Sequence, residues 1–299
     1  MGSLSRAAAE MHVAQSALSQ QMTSLEADLQ APLLLRSTRG VVPTDAGRQL
    51  YEHAQQMLQQ AANARAAVAG CATQPAGQVH MGVPLSLVAP LAMPIFKAVR
   101  DTYPLIRLQI FEELSGTILE WVKNGRLALG IVFDDGNLEG LHVTPLLEER
   151  LFLVLPPKSK LARRKAVSLK EVAALDLMLP TPEQGVRPRV DRAMARAGLT
   201  LQRPVTEINS LTLMKQAAGE GLGATLLSWP SVETEVAQGR VAAVEIARPA
   251  ITRVATLCVS ATAPRTSALN AVLELTQRAI RQTVLRNPWR GVRSLDAGR

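Results

Sequence analysis

The sequence predicts an α/β protein with a separate helical head, and three observations carry that prediction. Residues 1–29 hold two short helical stripes split by a tight break, residues 45–69 form one long helical pattern, and from residue 77 strands and helices alternate. The chain has 299 residues, enough for two or three domains, with 47% apolar and 19% charged residues, as in folded proteins. No apolar run reaches the ~18 residues of a membrane span. The opening "MGSLSRAAAE" lacks the layout of a secretory leader. Cys71 and Cys258 lie far apart without a C-x-x-C partner, so a zinc site or disulfide framework is not expected and a cytoplasmic protein is the default.

Each element has its own signal. Ser3 is placed to cap a helix through Met11, with Leu4, Ala7, Ala8 and Met11 on one side. After a break at His12-Val13-Ala14, apolar residues recur at Leu18, Met22, Leu25 and Leu29, one helical stripe. That short break is what a helix-turn-helix needs. Leu33 to Leu35 and Val41-Val42 predict a hairpin whose tip, "RSTRG", carries Arg36 and Arg39, the layout of a wing. Thr44 and Asp45 suit the start of a helix to about Ala69, roughly 37 Å long. Its seam of Leu50, Ala54, Met57, Ala61, Ala64 and Val68 is narrow enough for a partner helix to approach. "GCATQPAG" (70–77) is the one clear linker.

Beyond it, strands are expected at 78–83, 105–112, 127–133, 150–156, 175–180, 223–228 and 254–260. Helices are expected at 88–102, 116–124, 186–197, 210–219 and 266–285. The rhythm predicts mostly parallel sheets. The tail "RNPWRGVRSLDAGR" is expected to be mobile.

The chemistry is that of binding. Gln15, Ser16, Ser19, Gln20 and Thr23 form a polar face on the second helix. Such a face is often merely solvated, but beside a wing it suits base edges in a major groove, where Gln pairs with adenine and Ser bonds phosphate or base. With no Lys or Arg on that helix, Arg36 and Arg39 are left to supply phosphate or minor-groove contact, and Thr44 is counted with the same set. The net charge of +8 does not itself argue for DNA, because residues 1–45 carry three basic and four acidic residues; the surplus lies further on. "GEGLG" (219–223) follows a helix and precedes a strand, the reverse of a phosphate-binding order, and reads as a turn. His12, His53, His80 and His142 have neither metal-ligand spacing nor an evident nucleophile partner, so no cofactor and no catalysis are expected. Trp121 and Trp229 read as core.

The stretch "SLSRAAAEMHVAQSALSQQMTSLEADLQAPLLLRSTRGVVPTDAG" resembles the helix-turn-helix and wing of LysR-type transcriptional regulators. "GQVHMGVP", "VKNGRLALGIV", "RLFLVLP" and "AAGEGLGATLLS" resemble that family's effector domain, so the likeness covers nearly the whole chain. "RPRVDRAM" and the alanine-rich head are most similar to its nitrogen assimilation control proteins. The resemblance implies a winged helix-turn-helix head at 1–44, a linker and dimerisation helix with hinge at 45–76, and a two-lobed, periplasmic-binding-protein-like effector domain at 77–290. Lobe I would be 77–147 plus 256–285 and lobe II 148–253, with crossings near Glu148–Arg150 and Arg253–Thr256. It implies double-stranded DNA as partner, a homodimer or homotetramer on paired half-sites, and RNA polymerase if the protein activates. A small carboxylate-like effector is expected between the lobes, at strand ends and helix starts marked by Ser86, Phe133, Thr181, Asn209 and Ser210. A solute-binding protein would share this fold without the head.

Four departures stand out. Ala14 replaces the family's capping Ser, which forfeits roughly 1 kcal/mol, and Ser16 stands where Pro is usual. Ala128 stands where Asp is usual. The family's first helix should precede Gly2, so Leu4, Ala7, Met11, Leu18, Met22 and Leu25 would face partly into water, and an N-terminally truncated form is expected. A chain extended upstream by one helix, about 15 residues, is expected to bind DNA tightly in a gel-shift where the present chain binds poorly; equal affinities would contradict this.

Overall fold

The computed structural model describes residues 2–37, 40–69, 74–133, 136, 138–203, 205–247, 249–261 and 264–295, arranged as two compact units, Met1–Arg65 and Ala66–Arg299.

In the first unit, α1 (Leu4–Glu10) is capped by Ser3, whose side chain accepts from the Arg6 N–H. The chain reverses at His12, in the left-handed region at φ 55°. Next comes α2 (Gln15–Asp28), whose cap, Ala14, offers no side-chain hydrogen bond. Strands β1 (Leu34–Ser37) and β2 (Gly40–Pro43) form the antiparallel wing. Glu26 ties helix to wing by accepting N–H from Leu33 at 2.7 Å and Leu34 at 3.0 Å, and these bonds hold its carboxyl below the usual range. Helix α3 (Asp45–Ala69) begins at Thr44, whose hydroxyl accepts from the Gly47 N–H and donates to the Pro32 carbonyl. Within this unit Leu4, Ala7, Leu18 and Met22 are half-buried, while Met11 is 62% and Leu25 39% exposed. Along the seam Leu50 and Ala54 are half-buried and Met57, Ala61 and Ala64 exposed; the Val68 side chain, most of the linker (70–73) and Cys71 lie outside the described residues.

The second unit is built on one nine-stranded sheet. Strand β3 (Gly77–Pro84) leads into α4 (Leu85–Leu87), a π turn (Val88–Ala92) and α5 (Met93–Thr102), a continuous helical run. Then follow β4 (Ile106–Glu113), α6 (Ser115–Lys123), β5 (Leu129–Phe133) and the 15-residue β6 (Leu141–Leu155). Beyond a 3-10 turn (Lys160–Arg163) lie β7 (Ala166–Val167), α7 (Leu169–Ala173), β8 (Met178–Leu179), α8 (Val186–Arg196) and β9 (Thr206–Glu207). The chain closes with α9 (Leu211–Glu220), β10 (Thr225–Ser228), α10 (Trp229–Ala237), β11 (Ala242–Ile246), β12 (Thr252–Ser260), α11 (Ser267–Arg286) and β13 (Val292–Ser294).

The expectation of mostly parallel sheets is corrected: the sheet is mixed. β3 pairs parallel with β4 and β5, and β7 with β11, but β12 runs antiparallel to β5 and β6, and β10, β11 and β13 run antiparallel to β6. The reason is β6. It crosses the whole body as one strand and β12 returns beside it, so the two crossings form a single antiparallel ladder with Arg253 opposite Glu149. The first half of β6, "LHVTPLLEE", lacks alternation and carries a Pro, which hid it from a pattern reading. One core gathers Met81, Ile95, Leu129, Leu257, Val272 and Trp289; others lie around β6 beyond Arg150, with Leu153, Val172, Val190 and Leu226 in one and Met214 and Val232 in another.

The mobile tail is corrected as well. Trp289 is 5% exposed, β13 pairs with β6 opposite Leu147 to Glu149, and Arg290 spans the Phe152 and Trp229 rings and meets Glu245. Gly291, at φ 71°, makes the turn where a Cβ would meet the Phe152 ring at 2.9 Å. Residues 296–299 lie outside the described residues. Replacing Trp289 by Ala is expected to lower stability by about 3–5 kcal/mol in a denaturant titration; a loss below 1 kcal/mol would show that the tail only rests on the surface.

Candidate functional site

Two surfaces emerge, one in each unit. On the first, α2 presents Gln15, Ser16, Gln20 and Thr23 exposed, with Ser19 half-buried. Arg36 of β1 donates to the Ser19 hydroxyl at 3.0 Å, so wing and helix meet on one face. Thr23 donates back to the Ser19 carbonyl, which leaves its oxygen free only to accept. Both hydrogen bonds of the Thr44 hydroxyl are internal, which makes it first a helix cap. Arg39 lies outside the described residues.

The second surface is a cavity of about 60 Å³ where the β6–β12 ladder crosses the body. The ends of β3 and β5 bring Ser86 and Phe133 to it, and the first turns of α6, α8 and α9 point at it through Ser115, Gly185 and Leu211. Arg253 is among the residues that line it. This guanidinium, 5% exposed, pairs with the fully buried Glu149 and donates to Ser86 at 2.9 Å and Ser228 at 3.2 Å. It stacks 3.5 Å above the Phe133 ring. Burial pulls its pKa down from the ordinary value and Arg189 adds to this, while Glu149 opposes; a guanidinium nonetheless stays charged. Among the described residues the second carboxylate oxygen of Glu149 has no hydrogen-bond partner.

Of the effector residues read from sequence, Ser86 and Phe133 line this cavity. Thr181, Asn209 and Ser210 do not: Thr181 and Asn209 bond each other, with the Thr181 N–H donating to the Asn209 side chain at 3.0 Å, and Ser210 caps α9. They stand beside the cavity as ordinary turn and cap residues. The sequence reading missed Ser115, Gln184, Ser228 and the pairing of Glu149 with Arg253. Ser115 accepts the Phe133 N–H, and Gln184 accepts the N–H of Gly116, where a Cβ would meet the Glu183 carbonyl at 2.7 Å. The signal for the pair was a charge inside each apolar run, "LLEERLFLVL" and "ITRVATLCVS", since a charge buried in a strand requires a partner. As expected, "GEGLG" is a turn: Gly221, at φ 84°, ends α9. Cys258 is buried and donates to the Gly130 carbonyl; burial pushes its thiol up to about 12, an unreactive state.

Removing Arg253 leaves the Glu149 carboxylate buried and unpaired. Arg253→Ala is expected to cost about 3–5 kcal/mol in chemical denaturation, whereas Ser228→Ala, which removes one acceptor, costs about 1 kcal/mol. A near-neutral Arg253→Ala would mean that water reaches Glu149.

Residues 72–281 match the model of the LysR substrate binding domain, and residues 1–48 that of the bacterial regulatory helix-turn-helix protein, lysR family. The nitrogen assimilation regulatory protein Nac of Escherichia coli (strain K12) is 35% identical over 228 residues, 76% of this chain and 73% of that protein. Full-length OxyR from Pseudomonas aeruginosa has the same fold with a TM-score of 0.66 at 21% identity, covering 93% of this chain and 89% of that one. The effector binding domain of QuiR in complex with shikimate aligns with a TM-score of 0.63 at 18% identity, over 69% of this chain and 98% of that one. With a head that presents a helix and wing together and a body matched across its length, the chain belongs to the LysR family of DNA-binding transcriptional regulators and carries that family's effector-binding domain.

Proposed function

We propose that this regulator reads paired half-sites as a homodimer or homotetramer through α2 and the wing, with the α3 seam as the pairing surface. Gln15, Ser16 and Gln20 contact base edges, while Arg36, assisted by Arg39, contacts phosphate and positions Ser19. The bond from Arg36 to Ser19 supports this division, because it fixes the arginine beside the reading helix. The protein regulates rather than catalyses. It works in the bacterial cytoplasm, where it meets RNA polymerase if it activates; no helix among the described residues is long and apolar enough to cross a membrane.

The effector is a small carboxylate, and Arg253 is the observation that carries this reading. A buried cation next to three helix starts favours an anion, and Arg189 adds a second positive charge. Shikimate in the QuiR domain is itself a carboxylate. A cavity of about 60 Å³ holds only a few waters, so a metabolite enters only if Arg253 turns toward it or the walls part.

Gln15→Ala or Gln20→Ala is expected to weaken specific binding by about 1–3 kcal/mol while leaving non-specific binding in place. Arg36→Ala is expected to weaken binding to all sequences alike and lower the salt slope by about 1. Equal salt slopes and equal specificity ratios for the two kinds of variant would contradict the division. In a thermal-shift screen of small carboxylates, at least one is expected to raise the Tm of the parent and not of Ser86→Trp. A screen without binders, or with binders that Ser86→Trp leaves untouched, would remove this cavity as the effector site.

A further inference from the structure

DNA binding is driven largely by phosphate neutralisation, yet the first unit supplies little charge for it. Residues 1–65 hold five basic and five acidic residues, so the whole surplus of +8 belongs to the remainder of the chain. Part of that surplus is concentrated. Between 148 and 253 there are 16 basic and 11 acidic residues, a surplus of five. All of it falls in residues 158–171, where Lys158, Lys160, Arg163, Arg164, Lys165 and Lys170 face a single acid, Glu171.

Elsewhere in the same region several arginines are paired. Arg187 meets Asp191 and Glu207, Arg203 meets Asp176, Arg240 meets Glu235 and Arg253 meets Glu149. In the basic segment only Arg164 is engaged, by Glu171. Lys158, Lys160, Arg163, Lys165 and Lys170 are all exposed, and none of the five has an ion-pair partner among the described residues. The segment is also anchored. Ser159 caps the 3-10 turn, Leu161 and Ala162 pack on the core beneath, β7 joins β11, and a Ser168–Glu171 capping box starts α7. Five unpaired cations are therefore held out on a fixed base, where holding them together costs repulsion and no intramolecular ion pair offsets it.

We infer that the segment Lys158–Lys170 is a second DNA-contacting surface, which binds the phosphate backbone without reading sequence. The inference rests on the family's DNA binding. The polyanion such a protein already meets is DNA, and residues 1–65, whose charges cancel, leave phosphates beyond those met by Arg36 and Arg39 to be matched from elsewhere in the chain.

The test compares the full chain with its Lys158→Ser, Lys160→Ser, Arg163→Ser, Lys165→Ser variant on a mixed-sequence duplex several helical turns long. Arg164 is left in place so that its pair with Glu171 survives. The salt slope of binding is expected to fall by about 0.9 for each phosphate that is no longer neutralised, with Tm and circular dichroism unchanged. In the parent, amide exchange across the segment is expected to slow when the duplex is added. An unchanged slope would overturn the inference and leave the patch to solvent or to an acidic protein surface. A lower slope without slowed exchange would also overturn it, because it would report a distant field rather than direct binding. If the parent bound no duplex at all, the family's function would fail for this chain and the inference with it; retained binding with an unchanged slope sinks the inference alone.

Discussion

The body of this protein depends on one buried ion pair. Glu149 and Arg253 sit opposite each other on the long β6–β12 ladder, and both are removed from water. Removing two charges from water costs several kcal/mol each before their attraction is counted, so the site persists only because the surroundings complete it. Ser86 from α4, just after β3, Ser228 from β10 and the Phe133 face from β5 converge on one guanidinium. Three segments that are distant in sequence are thereby fixed relative to the β6–β12 crossing. β13 and Arg290 brace the same crossing from the other side.

That arrangement bears on the regulation proposed above. A cation placed among helix starts is an anion site, and here its ligand is the chain's own carboxylate. On the proposed function, an effector carboxylate would compete with Glu149, whose second oxygen has no hydrogen-bond partner among the described residues. The head has a comparable economy. Its polar helix face of Gln and Ser holds no basic residue and is joined by one arginine of the wing, Arg36, while the body carries the charge surplus.

Much of this was legible in the sequence, and the failures have physical causes. The two head helices, the wing and α3 were readable because capping residues and 3–4 spacing act locally. Ser3, Thr44 and the break at His12 each do what their residue types suggest. The sheet's mixed direction was not readable, because pairing partners are set by the return of β12 along β6, a contact about a hundred residues apart. The tail was misjudged because Trp289 and Gly291 act through Phe152 and Trp229, which no local pattern connects to them. For the cleft, strand ends located Ser86 and Phe133. The same rule points to Thr181, Asn209 and Ser210, which do not line the cavity and whose side chains bond turn and cap groups, since hydroxyl and amide side chains at helix starts satisfy backbone groups first.

The central claim is that Glu149 and Arg253 act as one unit. A double-mutant cycle with Glu149→Gln, Arg253→Met and the double variant, read by chemical denaturation, tests it most directly. The account predicts that the double variant loses clearly less stability than the two single losses combined, because each single change strands a buried partner. Losses that simply add would show that the two charges are solvated independently and that the pair does not hold the crossing.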